Sequence, residues 1–199
     1  MKKLLYGVKL AILEELDPKT ELPKDDGTPI KIDTAETVGM EAVTSEGAED
    51  VKRIDDRILA IATTNDLLYG YDLTLTDNLF DTDVVSLVEG ADTTPASGDK
   101  GEIVSTPLLS EGFKGKYFRL TLYSAHREGN SIIDYAKITF NKCHGIPSGM
   151  SLEKAFYSPE FTIKAREASK AKLPIRSIEI VDALPEDTTS PSPDPDPGP

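Results

Sequence analysis

Residues 117–126, YFRLTLYSAH, and residues 131–142, SIIDYAKITFNK, are separated by the four residues REGN. Apolar side chains occupy every second position in the middle of each segment: Phe118, Leu120, Leu122, Ala136, Ile138 and Phe140. Successive side chains of a β-strand point to opposite faces, so this alternation is typical of strands with one buried face. Gly129 and Asn130 tolerate the positive φ of a tight turn. The stretch therefore predicts a β-hairpin.

The same alternation recurs along most of the chain. Apolar residues two positions apart occur in four further segments: Val8, Leu10 and Ile12; Leu73 and Leu75; Phe161, Ile163 and Ala165; Ile178 and Ile180. We expect each set to face a core while the intervening residues face water, as in antiparallel sheets with one wet face. The sequence therefore predicts a mainly β protein built from antiparallel sheets.

One short α-helix interrupts this pattern. Residues 78–81 offer an N-cap, and Asp81 and Asp83 stand where the helix dipole favours negative charge. An apolar stripe follows: Val84, Val85, Leu87 and Val88. Gly90 is the expected end of the helix. A second, weaker helical pattern covers residues 151–155.

The domain is expected to span residues 1–183, with two segments extending from it as arms. Residues 17–29 are rich in Pro, Asp, Lys and Gly and predict a mobile loop. Residues 41–64 predict a hairpin whose first half is too polar to bury within one subunit, so we expect it to project and pair elsewhere. Residues 184–199 are dominated by Pro, Ser, Thr, Asp and Glu, which predicts a disordered or polyproline II tail.

The charge of the chain restricts its partners. The net charge is −13, which argues against a protein that binds nucleic acid by neutralising phosphates. Residues 1–100 hold 10 basic and 22 acidic side chains, a net of −12, whereas residues 114–176 hold 12 basic and 5 acidic, a net of +7. This split is either scatter over a solvated surface or two surfaces of opposite sign, which would align copies head to tail.

The sequence carries few features that indicate a cellular compartment. No apolar run approaches the roughly 18 residues that a membrane helix needs. Gly7 and Lys9 break the apolar stretch at the N-terminus, so we interpret it as a strand and not as a signal peptide. The single cysteine, Cys143, excludes an intrachain disulfide, which fits synthesis in a reducing cytoplasm.

The search for nucleophilic catalysis finds no convincing site. The chain has no phosphate-binding glycine loop and no dinucleotide fingerprint. Residues 145–149, GIPSG, approach the nucleophile elbow, but their spacing is wrong and Pro147 restricts the turn. We interpret Ser148 as a loop residue, and predict no catalytic residue and no cofactor.

A metal site would require His126, Cys143 and His144 to converge. On the predicted hairpin His126 lies beside the turn, whereas the other two lie at the far end of the second strand, roughly 30 Å away. We therefore predict no metal site, two histidines at the surface or at strand edges, and a buried cysteine.

Carboxylates are numerous but do not form a recognisable pair. Asp77, Asp81 and Asp83 lack calcium-loop spacing, and helix capping explains the last two better. The adjacent pairs at 14–15, 25–26 and 55–56 cannot supply the separation across a cleft that glycoside hydrolysis needs.

Several stretches together resemble a known family. They are RILA at 57–60, NDLLYGYDLTLTDN at 65–78, Phe80, VVSLVEG at 84–90, and Tyr6-Gly7 at an early strand. This pattern resembles the major tail proteins, or tail tube proteins, of phages that infect Gram-positive bacteria. The resemblance is firm over residues 57–90, looser over 1–56 and 100–183, and does not extend to the Pro-rich C-terminus.

The resemblance implies a β-sandwich or half-barrel subunit that closes into a hexameric ring. Stacked rings would form a tube in the virion tail, assembled in the host cytoplasm. Its partners would be copies of itself, the tape-measure protein and the tail-tip and terminator proteins. DNA would pass through the channel without specific binding, because an acidic lumen repels phosphates.

Two other functions remain open on the sequence. A β-sandwich module that binds a receptor or carbohydrate on the virion would need an aromatic platform, but most Tyr and Phe residues occupy alternating strand positions and suit a core better. A carboxylate hydrolase, using Asp55 or Asp72, would need a cleft lined by perturbed acids.

Overall fold

The computed structural model describes residues 3–54, 57–97, 101–106, 115–129, 131–147, 149–152, 154 and 156–185. Twelve strands and one helix occupy these residues: β1 (Leu5–Glu15), β2 (Ile30–Ile32), β3 (Ala35–Ser45), β4 (Glu49–Ile54), β5 (Arg57–Thr63), β6 (Leu67–Asp77), α1 (Thr82–Glu89), β7 (Asp92–Thr94), β8 (Ile103–Ser105), β9 (Phe118–Glu128), β10 (Ser131–Ile146), β11 (Glu160–Arg166) and β12 (Arg176–Val181).

Eight strands form one antiparallel sheet in the order β2-β1-β9-β10-β11-β6-β3, with β12 as a branch on β10. β10 is long enough to serve two neighbours on one edge. Its residues 135–140 pair with β12, and its residues 142–146 pair with β11. β3 lies against β1, so the sheet folds back on itself. The prediction of a mainly β, antiparallel fold of the sandwich or half-barrel kind, with one short helix, is confirmed.

The hairpin that the sequence predicted is the centre of this sheet. β9 and β10 pair antiparallel from Glu128 opposite Ser131 to Phe118 opposite Cys143. Gly129 has a φ of 62°, as the tight turn requires, while Asn130 lies outside the described residues. The two strands therefore hold the other elements in register.

The core lies between the folded-back halves of the sheet. Its largest buried side chains come from β1, β6, β9, β10, β11 and α1: Leu13, Leu73, Leu75, Val84, Val88, Phe118, Leu120, Leu122, Phe140 and Ile163. Removing that apolar surface from water stabilises the fold by about 25 cal/mol per Å². The inward positions predicted for β6, β9 and β11 are confirmed.

β1 differs from the prediction because its residues 10–13 are buried on both faces of the sheet. Ala11 and Leu13 face the main core, whereas Leu10 and Ile12 pack with Tyr123 in a second, smaller cluster on the opposite face of the sheet. A half-buried strand was expected here. Three partly buried side chains pack against this cluster: Tyr135 on β10, and Val181 and Leu184 near the end of the described chain.

The helix forms where it was predicted. Asp81 caps it by accepting a hydrogen bond from the backbone N–H of Asp83, and it ends at Gly90. Its apolar side packs on β10 at Gly145, where an added β carbon would lie 2.1 Å from the carbonyl oxygen of Val88. The weaker helix predicted at 151–155 is not present in the residues described there, Ser151, Leu152 and Lys154.

The prediction that Ile178 and Ile180 face the core is wrong. Both side chains are about half exposed, at 58% and 47%. Their register with Ile138 and Ala136 places them on the core side of the sheet, but neither side chain is covered there. Alternation predicted correctly which face of the strand these side chains occupy. Whether another layer packs over that face depends on contacts between segments distant in the chain.

Candidate functional site

The most distinctive surface feature is a two-stranded ribbon formed by β4 and β5. The strands pair from Glu49 opposite Thr63 to Ile54 opposite Arg57, and among the described strands neither pairs with the main sheet. This pairing confirms the hairpin predicted within residues 41–64, although its first half is divided between the end of β3 and β4. Residues 55 and 56, at its tip, lie outside the described residues.

The ribbon continues the ladder between β3 and β6 beyond its last pair, Ser45 opposite Leu67. Hydrogen bonds between the segments that lead into and out of the ribbon hold its base. The N–H of Gly47 donates to the Asp66 carboxylate at 2.7 Å, and the N–H of Thr64 donates to the Ala48 carbonyl at 2.9 Å. These bonds fix the base of the ribbon, which we call its root, to the main sheet.

Arg166 reinforces the same root from β11. Its guanidinium donates to the carbonyls of Ala165 and Tyr71, at 2.8 and 3.3 Å, and lies 5.2 Å from the centre of the Tyr69 ring. It passes so close to β6 that a β carbon at Gly70 would lie 2.1 Å from its Nη1 atom. A rigid cationic group thus fastens the start of β6, where the ribbon begins.

Exposed apolar side chains accompany the ribbon. Ile61 on β5 is 54% exposed, and the first residues of β6 are also exposed: Leu67, Leu68 and Tyr69. A two-stranded sheet is marginally stable in water by itself. Apolar side chains that are exposed on a ribbon and at the start of the strand beside it are candidates for contact with another molecule.

The first half of the 17–29 segment is attached to the body, which differs from the mobile loop expected there. Glu21 is buried and accepts hydrogen bonds from Lys142 Nζ at 2.7 Å and from the N–H of Lys170 at 2.9 Å. The bond from Lys142 is the main reason why the pKa of Glu21 lies below its ordinary value, although burial opposes it. Lys24 is held likewise by Glu15 at 2.6 Å.

An apolar cavity of about 350 Å³ opens between the two layers of the sheet. Its apolar lining comes from β1, β3, β9 and β10: Leu5, Val8, Val38, Met40, Leu122 and Ile138. Met40 and Leu5 are exposed at its rim. The core is therefore open on this side. The exposed Ile178 and Ile180 of β12, which pairs with β10 next to Ile138, lie on the same face of the sheet.

A buried polar cluster that the sequence pattern did not predict lies on the same face of the sheet. Asp134 on β10 stands opposite His126 on β9, with Oδ1 3.1 Å from His126 Nδ1, and its other oxygen pairs with Lys3 Nζ. Lys3 is the main cause of a lowered pKa at Asp134. The prediction that His126 is a surface or strand-edge residue is wrong, because only 6% of it is exposed. The hairpin register pairs these two residues and was the signal that could have found them.

Cys143 and His144 lie apart from this cluster. Cys143 is in the main core opposite Phe118, as predicted, and burial raises the pKa of its thiol. His144 is half-buried with its ring edge on Tyr117, and burial lowers its pKa. Among the residues that the structure describes, no three His, Cys, Asp or Glu side chains come together as metal ligands would.

Four of the carboxylates considered for chemistry have structural partners. Asp77 accepts from the Thr34 hydroxyl at 2.5 Å, and Asp81 caps the helix. The Glu14 carboxylate accepts two hydrogen bonds from the Arg119 guanidinium in a bidentate arrangement, each at 2.8 Å. Asp72 faces Arg166 at 3.4 Å. Asp83 is exposed in the first helical turn, while Ser148 and Asp55 lie outside the described residues.

Within the described part of the chain no helix has the length and apolar character needed to cross a membrane. A scan against protein-family models finds no match for this chain, and a search of curated proteins likewise finds none.

Proposed function

We propose that this chain is a structural subunit of a phage tail tube and catalyses no reaction. In this proposal identical copies close into hexameric rings, and the rings stack around a channel in the virion tail. The tape-measure protein and DNA occupy the channel, and the tail-tip and terminator proteins bound the tube.

The observation that carries the proposal is the β4–β5 ribbon. It is rooted by specific hydrogen bonds and by Arg166, yet it exposes Ile61 and lies outside the main sheet. Such a ribbon gains stability when another surface covers its apolar side chains. A second copy of the chain is the partner that is always present during assembly.

Open sheet edges also support assembly. β3 pairs only with β6 among the described strands, and β12 pairs only with β10. An unpaired edge presents backbone donors and acceptors that readily join another strand. Joining edges between copies would satisfy these groups and prevent uncontrolled aggregation.

The charge of the chain fits a channel for DNA. The net charge is −13, and the first hundred residues carry almost all of it, with a net of −12. A lumen lined by such a surface repels phosphates and lets DNA slide without sticking. The basic segment at 114–176, with a net of +7, would then face acidic surfaces of neighbouring copies.

Sedimentation velocity and negative-stain electron microscopy of the purified protein test the proposal directly. We expect rings or tubes to appear as the protein concentration rises, with or without a tail-tip complex as initiator. Protein that stays monomeric at high concentration, even with the initiator present, would contradict the proposal.

A matched variant separates assembly from folding. Replacing residues 49–63 by a short Gly-Ser linker removes the ribbon but keeps the ladder between β3 and β6. We expect a cooperatively folded β protein that no longer forms rings or tubes. Normal tubes from this variant would show that the ribbon has no part in assembly.

A further inference from the structure

The ribbon leaves the main sheet where β6 loses one of its two neighbouring strands. β11 pairs with β6 only as far as Ala165 opposite Tyr71. β3 stays paired with β6 to Ser45 opposite Leu67. Among the described strands, residues 67–70 of β6 are therefore paired with β3 alone. A two-stranded segment of this kind has little stability of its own.

A β-bulge lies within this two-stranded segment. Val43 of β3 stands opposite Gly70, whereas the next residue, Thr44, stands opposite Leu68. Tyr69 is therefore the extra residue of β6. A bulge bends its strand and increases the local twist, so the direction in which the two strands continue is set at this point.

The side chain of Arg166, the last residue of β11, connects the end of that strand to the bulge. Its guanidinium donates hydrogen bonds to the carbonyls of Ala165 and Tyr71, which form the last β11–β6 pair, at 2.8 and 3.3 Å. Its Cζ atom also lies 5.2 Å from the centre of the Tyr69 ring, which is within the range of a cation–π contact. One planar cation thus contacts both the end of the three-stranded region and the residue that bulges.

Gly70 leaves the space that this contact needs. An added β carbon would lie 2.1 Å from Arg166 Nη1 and 2.7 Å from Arg166 Cζ. Gly70 is not among the glycines with positive φ, so its backbone conformation does not require a glycine. The close approach of β11 and of the Arg166 side chain accounts for the missing side chain at this position.

A change of direction at Tyr69 is carried outward to the ribbon. Beyond the bulge, β3 and β6 remain paired to Ser45 opposite Leu67. The hydrogen bonds of the root follow, and β4 and β5 then pair from Glu49 opposite Thr63. Because the two segments stay connected along this path, the orientation of the strands at the bulge determines where the ribbon points.

We propose that Arg166 is a positioning residue for the ribbon: by holding the bulge at Tyr69, its guanidinium fixes the direction in which the ribbon leaves the sheet. The consequence for assembly rests on the proposed function. A ribbon held in one direction is preorganised to contact a second copy. A ribbon that samples several directions binds more weakly, in proportion to the fraction of molecules in the competent one.

Distances between two spin labels test the positioning role without any assembly. Lys52→Cys on β4 and Ser177→Cys on β12 place the labels at exposed positions, while the native Cys143 is buried and stays unlabelled. The protein is kept below the concentration at which it assembles. In an otherwise wild-type background we expect a narrow distribution of distances by pulsed electron paramagnetic resonance.

Two substitutions remove the contact from its two sides. Arg166→Lys keeps the positive charge but loses the planar fork, and Tyr69→Leu keeps an apolar side chain but loses the ring. We expect each to broaden the distance distribution and to shift its mean. Tyr69 is 49% exposed, so Tyr69→Leu keeps the test available should Arg166→Lys fail to fold, which circular dichroism detects.

Arg119→Lys is the matched control. Arg119 also lies in the main sheet and also pairs with a carboxylate, that of Glu14 on β1. Its side chain is 31% exposed, compared with 27% for Arg166. We expect this variant to keep the narrow distribution.

The same variants show whether the direction of the ribbon matters for assembly. If about one tenth of the ribbons point in the competent direction, the concentration of Arg166→Lys needed for assembly rises about tenfold. Arg119→Lys should assemble at the wild-type concentration. Light scattering measures both.

The outcomes separate the two proposals. A distribution that stays narrow in both Arg166→Lys and Tyr69→Leu overturns the positioning role, and so does equal broadening in Arg119→Lys or a wild-type distribution as broad as theirs. Broadening in Arg166→Lys with normal tubes supports the positioning role but overturns its link to assembly. Wild-type protein that never assembles, although the variants broaden the distribution, contradicts the tail tube function and leaves the positioning role standing.

Discussion

Gly145 on β10 lies directly beneath Val88 of the helix, and an added β carbon would lie 2.1 Å from the Val88 carbonyl oxygen and 2.3 Å from its Cγ1 atom. The helix can therefore approach the sheet closely only because position 145 has no side chain. Val84, Leu87 and Val88 complete the core through this contact.

Gly145→Ala is expected to destabilise the protein by about 1–3 kcal/mol, because the helix must move away from β10 and its buried side chains lose contacts. Urea unfolding followed by circular dichroism measures the change. Gly149→Ala is the matched control, since nothing lies within 4 Å of an added β carbon there. Equal stability of the two variants would contradict the packing described.

Glu21→Gln is expected to lower the free energy of unfolding at neutral pH by about 1–3 kcal/mol, because Lys142 loses a charged partner. The pKa of Glu21 is lowered in the folded state, chiefly by Lys142. The stability it contributes is therefore complete above its ordinary pKa of 4.5 and is lost as the pH falls below that value. Unfolding measured from pH 7 to pH 3 should show the wild type and the variant converging. A difference that stays constant over this range would exclude the ion pair as its cause.

Asp134→Asn is expected to loosen the N-terminal end of β1. Leu5 pairs with His126 on β9, and Lys3 reaches Asp134 on β10, so the carboxylate ties three strands together. Hydrogen exchange of residues 5–8 should become faster in the variant, while the middle of β9 keeps its protection. Unchanged exchange at residues 5–8 would show that strand pairing alone holds this end.

The thiol of Cys143 is expected to resist modification in the folded protein. It is fully buried, and burial raises its pKa, which disfavours the reactive thiolate. A thiol reagent should react at pH 8 only after denaturant unfolds the chain. Fast modification of the native protein would mean that the core opens at β10.

Assembly is expected to depend on salt. If acidic and basic surfaces of different copies meet, raising the ionic strength from about 0.1 to 1 M shortens the Debye length from about 10 to 3 Å and weakens their attraction. Light scattering should then show slower assembly or shorter tubes. Kinetics that do not change with salt would remove the electrostatic contribution while leaving apolar contacts in place.

Much of the architecture was determined by the sequence alone. The 117–142 hairpin follows from period-two alternation around a Gly-containing turn, and the inward positions of Leu73 and Leu75 follow from the same rule. The helix follows from its cap at Asp81 and its end at Gly90. These features depend on residues close together in the chain.

The tertiary structure decided which faces are covered. Ile178 and Ile180 alternate just as Leu73 and Leu75 do, yet they remain exposed, because alternation identifies a face of a strand and not the layer that packs against it. Burial of His126 beside Asp134 likewise depends on a partner strand and on Lys3, 131 residues distant from Asp134 in the chain. The packing of one layer on another and the pairing of distant strands arise only when segments far apart in the chain meet, so neither follows from residues that are close together in sequence.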